Sequence, residues 1–188
     1  MLSEKNAFTL IELLVVILII SVLVAVAMSQ YQKTVEKTKA TQAITFVQAL
    51  SQAANVYLLG NGAFPTHINQ LDIDLTEEQK QSFLCTDISQ TCNKSDWGIA
   101  LYRSTVQDYG IAVWRTSGKY KGCGFSMYQM LSDKSKERFY KENTLYCLER
   151  TAGPNTVTIQ PGEYCQKLFN GMQFDPGIHN AKEYQLPF

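Results

Sequence analysis

The sequence predicts an α+β fold in which one long N-terminal α-helix packs on a small antiparallel β-sheet head. Three observations carry this. An apolar run from Phe8 to Met28 passes without a breaker into a stripe of helical period, glycines and a proline stop the pattern near residue 60, and aromatic-rich runs of strand length follow from Trp97. At 188 residues the chain amounts to one domain, or one small domain with an appendage. Lys and Arg balance Asp and Glu at 17 each, so the basic excess that phosphate neutralisation needs is missing and nucleic acid is not the default partner.

Between Phe8 and Met28 only Thr9, Glu12 and Ser21 are polar. As a helix this segment rises about 31 Å, close to the roughly 30 Å of a bilayer's hydrocarbon. A cleaved secretory signal has an apolar core of only about 7–15 residues and a small-residue cleavage site after it, whereas this run continues into further helix. A plain signal anchor accounts for the length and leaves Glu12 unexplained, since a carboxylate among lipid tails costs roughly 2.5–3.5 kcal/mol. In a third reading a protease cuts between Ala7 and Phe8, removing the leader 1–7 on the cytoplasmic side and leaving the Phe8 amine about one turn from Glu12.

The stretch AFTLIELLVVILIISVLVAVAMSQYQK closely resembles the N-terminus of type IV pilins and their pseudopilin relatives, with Phe8, Thr9, Leu10, Ile11 and Glu12 matching the processing motif residue by residue. The likeness is strong over the first third of the chain and most like a type IVa-style pilin. It implies a pilin-like ladle shape, cleavage and N-methylation at Phe8 by a prepilin peptidase, and residence in the bacterial inner membrane as precursor. It further implies extraction by the pilus assembly machinery into an extracellular or periplasmic helical homopolymer, in contact with itself and other pilins. Glu12 then pairs with the Phe8 amine of a neighbouring subunit, and a buried pair of this kind sets register more than it adds stability. Two positions depart from the family pattern: Ala7 stands where Gly is usual before the cut, and Ser29 where many pilins carry a kinking proline, which predicts a straighter helix here.

Beyond Met28 the residues Tyr31, Val35, Ala43, Phe46, Val47, Leu50, Ala54 and Tyr57 recur at helical spacing, with Lys33, Glu36, Lys37, Lys39, Gln42 and Gln48 on the other side as a solvated face. Gly60-Asn61-Gly62 and Pro65 end the helix. The expected division is thus leader 1–7, membrane and polymerisation helix 8–28, amphipathic half 29–60, and head 61–188.

In the head, Thr76 with Glu77, Glu78 and Gln79 predicts a short capped helix. Asp72 and Asp74 lack the other oxygen ligands and the glycine of a calcium loop and read as solvated turn residues. WGIALYR from Trp97, YGIAVWR from Tyr109, KYKGCGFSMY from Lys119 and TLYCLER from Thr144 read as a meander of three or four strands, with STVQD and TSG as hairpin connections. Trp97, Ile99 and Leu101 give a face to pack on the helix, and the smaller alternate face stays partly covered or becomes a subunit contact. Gly122 and Gly124 flank Cys123, where a bulge is expected. The tail from Thr151 to Phe188 shows turn formers and little periodicity.

Five cysteines, Cys85, Cys92, Cys123, Cys147 and Cys165, lie in the second half with no CxxC pair, which argues against zinc and, outside the cytoplasm, for disulfides. Cys147 and Cys165 bracket a long loop, and Cys85 with Cys92 makes a tighter candidate; Cys123 is left over in that pairing, one of several open. A bridge from Cys147 to Cys165 resembles the disulfide-bounded C-terminal loop of many pilins and contributes about 3 kcal/mol by loop entropy. Asn93-Lys94-Ser95 fits a glycosylation sequon. His67 and His179 belong to no motif, and no catalytic, metal or cofactor constellation is visible, so no enzyme activity and no cofactor is expected. The expectation is a structural pilin subunit; a type II secretion pseudopilin, a minor pilin, or a membrane-anchored binding or enzymatic module are the alternatives.

Overall fold

The computed structural model describes residues 9–73, 97–103, 108–130, 140–141, 143–152, 156–174 and 181–187. Two compact units divide it, Met1–Lys39 and Ala40–Phe188. Helix α1 covers Leu10–Asn61. In the first unit its aliphatic side chains are exposed from Leu10 to Met28. Hydroxyls there find acceptors in the preceding turn, Ser21 Oγ donating to the Ile17 carbonyl at 2.6 Å and Ser29 Oγ to that of Val26 at 3.0 Å, so neither disturbs an apolar setting. The helix runs unbroken through Ser29.

In the second unit Ala40, Ala43, Phe46, Val47, Leu50, Ser51 and Ala54 form the buried stripe of α1. The expected stripe began at Tyr31, which instead is 67% exposed; periodicity marks a face, and burial begins only where there is a core to meet it. The helix stops when Gly62 enters the left-handed region at φ +68° and donates its N–H to the Leu58 carbonyl at 2.8 Å, the C-terminal cap that glycine makes without steric cost. A 3-10 turn, Ile68–Gln70, follows.

Among the described residues six strands form one sheet in the order β1-β2-β3-β4-β6-β5. They are β1 Trp97–Arg103, β2 Asp108–Arg115, β3 Cys123–Met130, β4 Leu145–Arg150, β5 Met172–Phe174 and β6 Ala181–Gln185, all paired antiparallel. Between β4 and β5 lies the short helix α2, Cys165–Phe169. Ile99, Val113, Phe125, Cys147 and Tyr184 line up across the register and join Val47 and Leu50 in the main core. Gln129 adds a polar tie, its Nε2 donating to the Ser51 carbonyl at 2.8 Å and to Ser51 Oγ at 2.6 Å.

Four expectations need correcting. The smaller face is not left partly covered: Ala100, Ala112, Trp114 and Leu148 are buried in a second cluster. The third strand starts at Cys123 and not at Lys119, because Gly122 at φ +81° closes a turn whose N–H donates to the Arg115 carbonyl at 2.8 Å. The apparently structureless tail supplies α2, β5 and β6, which extend the sheet beyond the three or four strands expected. No bulge is formed at Gly124; its role is close approach, since a Cβ there would lie 1.9 Å from the Val113 carbonyl oxygen. The helix expected after Thr76, Asp74 and the sequon at Asn93 fall outside the described residues.

Candidate assembly surface

Thr9 precedes the first turn of α1 and Glu12 lies three residues on. Thr9 N–H and Thr9 Oγ1 donate to one carboxylate oxygen of Glu12 at 2.8 and 2.7 Å, and Glu12 N–H approaches Thr9 Oγ1 at 3.3 Å. This is a capping box: each side chain serves the other's backbone, at a helix end where acidic charge also suits the dipole. The Thr-x-x-Glu spacing announces it in the sequence, yet reading Glu12 only as an unexplained charge passes over it. The carboxylate therefore has partners in its own helix, and its second oxygen is engaged by nothing among the described residues. Ala7 and Phe8, expected at the cleavage point and the register contact, lie outside the described residues.

Behind Glu12 the helix surface is aliphatic on all sides, from Leu10 at 86% exposure through Ile17, Leu18 and Leu23 to Met28. The helix is long and apolar enough to cross a membrane. A helix apolar all round satisfies its own backbone and asks for an apolar medium, either hydrocarbon or other helices of the same kind.

In the second unit Cys147 of β4 is bonded to Cys165 at the start of α2, with Cα atoms 5.7 Å apart. A second fastening lies beside it. Glu149, only 1% exposed, accepts the N–H of Gly162 at 2.7 Å and those of Tyr164 and Cys165 at 3.0 Å, and the Tyr184 hydroxyl at 3.2 Å. The carboxylate thus collects the donors that the loop and the head of α2 cannot satisfy internally. Nothing in the local sequence announces this, because its partners lie 13 to 35 residues away. A second buried carboxylate, Glu183, takes the hydroxyls of Tyr128 and Tyr140 on the opposite face. Outside, Lys119 Nζ meets Glu163 at 2.8 Å; that contact raises the ammonium and lowers the carboxyl from their ordinary values.

Cys123 is buried in the main core, outside the bridge. Cys85, Cys92 and His179 lie outside the described residues, and His67 sits exposed at the start of the 3-10 turn. Among the described residues no group of three His, Cys, Asp or Glu side chains is placed to hold a metal ion.

The prokaryotic N-terminal methylation motif matches residues 2–28. A fimbrial protein of Pseudomonas aeruginosa is 38% identical over 116 residues, covering 59% of this chain and 75% of the relative. A fimbrial protein of Neisseria meningitidis serogroup B is 30% identical over 80 residues, 43% of this chain and 47% of its own. The type IV major pilin protein PilE1 of Neisseria gonorrhoeae is 36% identical over 61 residues, 32% of this chain and 37% of its own. No solved structure matches.

Proposed function

Because this chain belongs to the type IV pilin family, we propose that it is the structural subunit of a helical filament, assembled through α1. The observation that carries the reading is the surface from Leu10 to Met28, aliphatic on every side with Glu12 as its one charged residue. Packed against its copies, such a surface leaves lipid for protein without exposure to water. Contacts that repeat head to tail without closing build a filament instead of a ring. The precursor resides in the inner membrane with its head outside the cytoplasm, where the Cys147–Cys165 bridge is stable. A prepilin peptidase cuts between Ala7 and Phe8 and methylates the new amine, and the pilus machinery draws the subunit into the fibre. Glu12, with one oxygen held by Thr9, turns the other toward the Phe8 amine of a neighbour.

Intact-mass and N-terminal peptide analysis of unreduced protein from sheared surface material and from membranes tests this. A chain beginning at methylated Phe8 in the sheared fraction is expected. A chain still beginning at Met1 and confined to membranes overturns it. The capping box favours a second reading, an anchored module whose Glu12 merely starts the helix; such a module stays monomeric whatever stands at position 12.

A further inference from the structure

Arg150 ends β4 on the face of the sheet opposite the main core. Its main chain is held on both sides, the N–H donating to the Gly122 carbonyl at 3.1 Å and the carbonyl accepting from Val157 N–H at 2.9 Å. The side chain is 9% exposed, and its guanidinium lies 4.7 Å from the centroid of the Trp114 ring. Among the described residues no carboxylate or other hydrogen-bond acceptor meets that guanidinium, and burial alone holds the group below its ordinary pKa. Trp114 is itself buried, with its indole against Gly98, where a Cβ would approach to 2.9 Å, and its Nε1–H meets no acceptor among the described residues. On the same face Ser126, in register with Ala112, has a buried Oγ without a partner among the described residues.

Three donors thus share one face of the sheet, and none has an acceptor among the described residues. Stacking on an indole offsets part of the cost of drying a guanidinium, but it supplies no lone pair and no countercharge. An oxyanion supplies both, and a planar guanidinium is suited to grip one by two parallel hydrogen bonds. We propose that Arg150 and the Trp114 N–H form an anion site for a phosphate or carboxylate group, on the sheet face away from α1.

The test uses the full chain in a zwitterionic detergent, titrated with inorganic phosphate and separately with acetate at constant ionic strength. Tryptophan fluorescence and the unfolding temperature are followed. A saturable fluorescence change with a rise in unfolding temperature is expected, the better of the two anions naming the chemistry. Arg150→Lys should weaken the response about tenfold or more, because the charge remains and the fork does not. Arg150→Met should abolish the response while folding at least as stably in anion-free buffer. Repeating the titration on assembled filaments separates sources: a response lost there assigns the site to a carboxylate of a neighbouring copy, and one retained assigns it to an anion from solution. No saturable change in the wild type, or the same change in Arg150→Met or in Arg150→Lys, overturns the proposal.

Discussion

Four donors converge on the Glu149 carboxylate, and three of them are main-chain groups that no side-chain repacking can redirect. Glu149→Gln exchanges an acceptor for an amide that faces those N–H groups with hydrogens of its own. A loss of about 2–4 kcal/mol is expected from denaturant unfolding of the full chain in detergent, given the worth of hydrogen bonds to charged groups. Gly124→Ala acts through space alone: with Val113 O at 1.9 Å from the new methyl, β2 and β3 must part, and a loss of about 1–3 kcal/mol follows by the same measurement. The exposed Lys119–Glu163 pair works on a smaller scale. Glu163 is lowered from 4.5 by Lys119, so its contribution is full above that value and fades as pH falls through the lowered one; Lys119, raised from 10.5, loses its share as pH rises through the raised value. Lys119→Ala should therefore lower the unfolding temperature slightly at neutral pH, by well under 1 kcal/mol, and by less still in acid or high salt. At this scale a partner three residues off leaves a local spacing, as with Thr9 and Glu12, although that spacing passes unnoticed when Glu12 is read only as a lone charge; partners from distant segments, as with Glu149 and Glu183, leave no local trace.

Elements with a strong period were legible at a distance. The stripe of α1 and the first four strands each alternate or repeat over enough residues to mark a face. The last two strands were not: β5 has three residues, and β6, Ala-Lys-Glu-Tyr-Gln, carries two charges in five positions. They are strands because β4 offers β6 a full row of partners from Tyr146 to Arg150, and β6 then offers its other edge to β5. Tertiary pairing, and not local preference, decides them. The loop that precedes them is fastened twice. Replacing both Cys147 and Cys165 by Ala frees a span of 18 residues in the unfolded chain and should cost about 3 kcal/mol, yet the hydrogen bonds to Glu149 should keep Tyr164 in place. Hydrogen exchange at the Gly162, Tyr164 and Cys165 amides checks this, with continued protection expected in the double variant and full exchange counting against it.

For the whole molecule the decisive comparison is between two substitutions at position 12. Gln at the third helical position can still complete a capping box with Thr9, whereas Ala cannot, so Glu12→Gln separates the cap from the charge. Membrane insertion should survive both. Filament yield should collapse in both, by an order of magnitude or more, if a neighbour's amine needs the carboxylate; normal fibres from Glu12→Gln would leave only the cap as its role. The apolar run and its lone acid were plain in the sequence, while the role of Thr9 and the anchoring of the C-terminal loop required the fold.

The strand order has a consequence in time. β4 ends at Arg150 but finds its partner on one side only in residues 181–185, so the sheet cannot be finished while that segment is still in transit. A chain delivered from its N-terminus first would have α1 lodged in the bilayer and β1 to β4 already outside, with the edge of β4 open. Membrane tethering then acts as a form of quarantine: it holds the half-made head apart from its siblings until the last strand arrives to close the edge.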